Sequence, residues 1–166
     1  SKAAPKKVIE NFSTTLPEPP TYFLKLVDKI TKQGKPTTST EDIMETYIYK
    51  AKNGDEYELV NDLKTGDLRI TKDKMGMGTY GDKSFDTIED RTEMVFKKGK
   101  ADETTKGKKP PDEYEEYKVE FDQDGTAADA ADIDEFSKSE LIEEAGDTSS
   151  LTLKRAGGGV AYMLGQ

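Results

Sequence analysis

Three stretches of this chain carry residue types at spacings that could do chemistry. Gly76-Met77-Gly78-Thr79-Tyr80-Gly81 has the G-x-G-x-x-G spacing that lets backbone N–H groups approach a phosphate. That use requires the motif to follow a parallel strand and open a helix, with an acidic ribose ligand further on. The residues after it, Asp82-Lys83-Ser84-Phe85-Asp86, do not open a helix. A kinase-type glycine loop would need V-A-I-K, H-R-D and D-F-G companions, which the sequence lacks. The stretch therefore reads as a flexible glycine-rich hairpin loop over 74–86. Asp122-Gln123-Asp124-Gly125-Thr126 resembles half of a calcium loop. With Gly125 at the sixth loop position the twelfth is Ala131, where an EF-hand places a bidentate Glu. Asp129, Asp132 and Asp134 could substitute only with a different geometry, so a solvated acidic turn is expected. The third stretch carries Lys97, Lys98, Lys100, Lys106, Lys108 and Lys109. It could touch phosphates, but no aromatic residue is interleaved for base stacking. It reads as a solvated linker that can fold back on the chain's own acidic residues.

The sequence contains neither His nor Cys. The commonest general base, the commonest zinc ligands, the thiolate nucleophile and any disulfide framework are therefore excluded. Carboxylate, Lys, Tyr and Ser/Lys mechanisms stay formally open, yet no arranged constellation of them is visible. The expectation is a non-enzymatic protein with no cofactor and no metal.

The elements that must position any site can be read from periodicity. Of 166 residues, 33% are hydrophobic and 36% charged, which supports one modest core. Pro19-Pro20 starts a helix over 20–33, with Tyr22, Phe23, Leu26, Val27 and Ile30 on one face and Gly34 as a left-handed cap. Strands follow at Ile43–Ala51 and Glu56–Asp62, joined through Asn53-Gly54. A turn at Thr65-Gly66 leads to Asp67–Lys72, and Ile88–Phe96 is a fourth strand. Tyr114–Phe121 alternates and can add an edge strand. The fold class is α+β, a small antiparallel β-meander of four to five strands with one packed helix on its apolar face and flexible N- and C-terminal extensions. Leu26, Leu59, Ile70 and Phe96 are the expected core. Ser137–Ala145 reads as a short helix anchored only by Phe136, Leu141 and Ile142.

The domain organisation that results is an N-terminal arm at 1–18, a core domain at 19–121 with a Lys-rich linker at 97–112, and an acidic C-terminal extension at 122–166. Residues 1–111 hold 21 Lys/Arg against 19 Asp/Glu, whereas 112–147 hold 15 Asp/Glu against two Lys. The net charge is −9. Such a block repels nucleic acid and either stays solvated or meets a basic partner. No stretch approaches the roughly 20 apolar residues of a membrane helix. The first residues lack the apolar run of a signal peptide, and Ser1 reads as the residue left after removal of a start Met. After Gly157-Gly158-Gly159 the chain ends in an apolar tag. Val160, Tyr162, Met163 and Leu164 are the expected partner-binding residues, docked in a groove or by strand addition.

That ending, Leu153-Lys154-Arg155-Ala156-Gly157-Gly158-Gly159-Val160-Ala161-Tyr162-Met163-Leu164-Gly165, resembles a set of uncharacterised marine tailed-bacteriophage proteins that end in Gly-Gly-x-Ala-x-Met-Leu-Gly. Tyr22–Ile30, the Lys64-Thr65-Gly66-Asp67 turn and Asp112–Tyr117 are similar to the same set. The resemblance covers most of the chain in order and includes no catalytic motif. It implies a phage structural or accessory protein, in the virion or the host cytoplasm, contacting other phage structural proteins or a second copy of itself. Many members are longer, so the resemblance implies a short form or a C-terminal portion. The alternative is a soluble acidic regulator or inhibitor of a basic nucleic-acid-binding protein.

Overall fold

Pro20 precedes the first helix among the described residues, α1 (Thr21–Gln33), and its carbonyl accepts from Phe23 N–H. Tyr22, Phe23, Leu26 and Ile30 repeat at helical spacing and are all buried. Burial of each aliphatic or Phe side chain contributes about 1.5–3 kcal/mol, so this stripe docks the helix. The computed structural model describes residues 16, 18–37 and 43–147.

Six strands follow: β1 (Lys35–Thr37), β2 (Met44–Lys50), β3 (Glu56–Asp62), β4 (Leu68–Tyr80), β5 (Lys83–Lys97) and β6 (Glu113–Glu120). They form one sheet in chain order, every neighbouring pair antiparallel. The register places Tyr49, Tyr57, Leu59, Ile70, Met94 and Tyr114 on one side, where they close over α1. Phe23 meets Tyr114 edge-on at 5.1 Å. A second helix, α2 (Glu135–Ala145), lies on the same side with Leu141 and Ile142 in the core, and packs against α1.

The α+β class and the antiparallel meander agree with the sequence, but the sheet has six strands rather than four to five. The unexpected strand is β1, three exposed residues around Pro36. Its composition gives no strand signal; it is an edge strand, the one place where a Pro costs a sheet little. The glycine-rich segment 74–86 is not a loop: it continues β4 and β5 up to a two-residue turn. Among the described residues two helices pack on the sheet, not one. Residues 122–147, expected within a flexible acidic extension, lie against the sheet: Ala131 exchanges both backbone hydrogen bonds with Lys118. Phe136, expected as an anchor of α2, is 66% exposed and lies beside Lys74 Nζ. Gly34 is not a left-handed cap; its φ is −79°. A side chain there would approach Ile30 O to 2.6 Å and Ile48 O to 3.0 Å, so Gly is needed for space. Of the four expected core residues, Leu26, Leu59 and Ile70 are buried, and Phe96 packs half-buried against them. Among the described residues no helix is long and apolar enough to cross a membrane.

Candidate interaction surface

β4 and β5 outrun their neighbours. β3 pairs with β4 only as far as Asp73, and β6 pairs with β5 only from Asp90 onward. Beyond those points Met75–Tyr80 and Lys83–Ile88 form a free two-stranded arm. Its root is a register shift at Lys74/Met75: Lys74 faces Asp90 while Met75 faces Ile88, which leaves Glu89 as the extra residue. A bulge of this kind bends a ribbon and increases its twist.

The three glycines of the arm have separate structural jobs. Gly81 has φ +65° at the first position of the two-residue turn, and Asp82 has no positive φ, as in a type II′ hairpin. A Cβ on Gly78 would come within 2.7 Å of the Phe85 ring, and one on Gly76 would collide with the Glu89 carboxylate. These residues leave room for cross-strand side chains, the arrangement by which an aromatic residue covers glycine in a sheet. The G-x-G-x-x-G spacing is thus accounted for by the hairpin.

The arm presents Met77 at 71%, Tyr80 at 84% and Phe85 at 50% exposure. Tyr80 and Phe85 share one face of the ribbon and Met77 lies on the other; large apolar groups gathered near a projecting tip mark a contact surface more than scattered ones do. Beside the arm, residues 121–127 form a second, smaller turn: Asp122 N–H donates to Thr126 O, and Phe121 N–H donates to Glu89 O. Between arm and turn lies an open groove of about 1050 Å³. Phe85, Ile88 and Phe121 line it, with Asp86, Glu89, Asp122 and Asp124 at its margin. Its one cation, Arg91, is already held by Asp73 at 2.6 and 3.0 Å and stacks on Phe121 at 5.9 Å. The hydrogen bond from Arg91 to Asp73 raises the guanidinium pKa, outweighing burial.

Other clusters of titratable groups are spent on structure. On the sheet face away from the helices, a shallow saddle of about 420 Å³ contains Arg69, Thr71, Arg91 and Glu93. Burial pushes the Glu93 carboxyl up, opposed by a hydrogen bond from Thr71 at 2.8 Å and by Arg69 at 3.6 Å. Under α2, Lys72 Nζ lies 3.1 Å from Glu140 and 3.6 Å from Asp55. Lys29 reaches Glu144 at 2.6 Å, and Tyr49 donates to the same carboxylate at 2.7 Å. Burial raises the Glu144 pKa, but the Lys29 and Tyr49 hydrogen bonds outweigh it and hold the carboxyl below its usual value. Lys118 contacts Asp134 at 3.2 Å and Ser137 at 3.0 Å. Deep in the core, Tyr22 and Tyr114 both donate to Glu116 Oε1.

The residues singled out from sequence are distributed as follows. Asp122 Oδ1 accepts from Asp124 N–H and Thr126 N–H, both at 2.9 Å, so this carboxylate caps its own turn. Among the described residues no group of three or more Asp or Glu is placed to hold a metal ion. In the Lys-rich linker, Lys98 and Lys109 each approach Asp112 at 3.9 Å, Lys98 also lies 5.9 Å from the Phe96 ring, and Lys97, Lys100, Lys106 and Lys108 are exposed. Val160, Tyr162, Met163 and Leu164, and nearly all of the 1–18 arm, lie outside the described residues. The residues missed from sequence are Met77, Tyr80 and Phe85. Their signal was present as Gly-Asp between two alternating runs, a recognised two-residue hairpin pattern. No protein-family model, curated protein or solved structure matches the chain.

Proposed function

We propose that this chain is a non-enzymatic protein-binding module, acting as a bacteriophage structural or accessory protein that contacts other phage proteins in the virion or host cytoplasm. The observation that carries the reading is the projecting β4–β5 arm with Met77, Tyr80 and Phe85 exposed at its tip. An apolar tip on a ribbon that no other strand flanks among the described residues costs solubility unless a partner covers it. The sequence resemblance to marine tailed-phage proteins supplies the setting, and the tag at Val160–Leu164 is a second proposed contact. A soluble acidic regulator of a basic nucleic-acid-binding protein remains the alternative, favoured by the four carboxylates around the groove.

The test is copurification with intact particles. The wild-type chain should be present at fixed stoichiometry. A variant carrying Met77→Ser and Tyr80→Ser should fall out of the particle while keeping its melting temperature, because these side chains are already exposed and Phe85 still covers Gly78. Undiminished incorporation of that variant would remove the arm from the contact.

A further inference from the structure

We infer that the groove beside the arm takes an extended, basic segment of a partner protein as an added strand along the outer edge of β5, residues 83–88. The inference rests on the protein-binding reading above and names the partner's chemistry.

Three observations lead there. First, β6 stops pairing with β5 at Asp90, and among the described residues no strand lies on the outer side of 83–88. The outward N–H and C=O groups of a free edge are a template for another strand. Second, that edge does not open onto featureless solvent. The 121–125 turn stands across from it and makes a groove with Phe85, Ile88 and Phe121 as apolar contacts. Phe85 and Thr87 face one side of β5, and Asp86 and Ile88 the other; a strand alternates its side chains between two faces, so an incoming segment can place apolar residues beside Phe85 and the intervening ones beside Asp86. Third, what those intervening residues meet is acidic. Asp86, Glu89, Asp122 and Asp124 line the margin and are all exposed. The single groove cation is already paired with Asp73. A segment alternating apolar residues with Lys or Arg therefore complements the site in hydrogen bonding, shape and charge, whereas a second copy of the chain would bring its own acidic margin against this one.

The probe is a nine-residue peptide with capped ends that alternates Val with Lys and Arg, followed by fluorescence anisotropy against the full chain. It should bind saturably, weaken at least tenfold between about 50 and 300 mM salt, as exposed charges are screened, and weaken about tenfold on the Asp86→Asn/Asp124→Asn variant. The same peptide N-methylated at alternate amides should not bind, because one edge of its backbone can no longer donate. A Glu-for-Lys/Arg version should not bind either. Equal binding of the Glu version, undiminished binding of the N-methylated one, or an unchanged affinity for the Asn variant overturns the inference. So does self-association of the chain alone in sedimentation, which would make a second copy the occupant. If the serine arm variant leaves the particle while the Val/Lys/Arg peptide fails to bind, the basic-strand assignment falls and the protein-binding reading stands.

Discussion

Lys72→Ala should be among the most costly single substitutions in the sheet. Lys72 occupies a helix-facing position of β4 between Tyr57 and Thr92, and is 1% exposed. Its ammonium lies between Glu140 of α2 and Asp55 of the β2–β3 connection. Removing it leaves two carboxylates in different situations. Glu140 keeps 23% of its side-chain surface and can turn to water; Asp55 keeps 6% and cannot. Breaking a buried pair from one side costs about 3–5 kcal/mol, which lowers the melting temperature by roughly 6–20 °C at about 2–4 °C per kcal/mol. Lys72→Met retains the apolar stem and loses only the charge. It should recover the packing share, on the order of 1–2 kcal/mol. Urea unfolding gives the magnitude, and hydrogen exchange gives the location: α2 amides should lose protection before those of β3 and β4. A loss below about 1 kcal/mol for Lys72→Ala, or a Met variant as stable as wild type, would refute the dependence of Asp55 on this cation.

Asp134→Ala removes the N-cap of α2, where Asp134 Oδ1 accepts from Ser137 N–H at 2.7 Å, and should cost about 0.5–2 kcal/mol in urea unfolding at neutral pH. That hydrogen bond and Lys118 hold the Asp134 carboxyl at about 2, below its ordinary 3.8, so its stabilisation is complete above 3.8 and is lost as pH falls towards 2. The gap between wild type and variant should close over that acid window. Burial pushes the Tyr22, Tyr57 and Tyr114 phenols far up; their stabilisation is intact below about 10 and lost at higher pH, so their ultraviolet ionisation should appear only together with unfolding. Tyr114→Phe should cost about 1.5–3 kcal/mol, because it removes a hydrogen bond to a charged acceptor, and Tyr22→Phe/Tyr114→Phe should exceed the sum of the single changes, since Glu116 then loses both donors. Gly81→Ala places a Cβ at φ +65° and should cost about 1–2 kcal/mol, with faster hydrogen exchange confined to the arm.

What the sequence made legible was whatever depended on near neighbours. Five apolar residues at helical spacing define α1, and Asn53-Gly54 and Thr65-Gly66 punctuate β2 to β4. Gly54 and Gly66 do carry positive φ, at 98° and 83°. What it hid depended on partners far along the chain. α2 has two buried apolar residues, Leu141 and Ile142, and otherwise reads as a solvated acidic helix. Its polar attachments come from Lys29, Tyr49, Lys72 and Lys118, which precede it by many residues. Lys72 itself breaks the apolar alternation of β4 on its buried side: parity with Leu68 and Ile70 points it inward, while its charge reads as a surface residue. The arm was hidden by composition. Gly76 and Gly78 lower strand propensity locally, yet they are what lets Glu89 and Phe85 lie across the ribbon. A glycine count reads this as a loop; only the cross-strand pairing identifies it as a strand.

The same long-range pairing changes the meaning of the acidic block. Taken as a sequence, residues 112–147 form one continuous negative segment available to a basic partner. In the fold its members divide. Asp134, Glu140 and Glu144 are consumed by Lys118, Lys72 and Lys29, and Glu116 by two tyrosines. These groups hold α2 and β6 in place. Asp122 and Asp124 stay exposed, and the turn at Gly125, with φ +80°, brings them to the groove opposite Asp86 and Glu89. The groove-facing charge is therefore set by the hairpin arm and the 121–127 turn, whereas Glu116, Glu140 and Glu144 work inward. This division explains how one stretch can be both a strap for the core and the source of an acidic docking margin: attachment uses carboxylates within reach of sheet lysines, and recognition uses those that the turn carries past them.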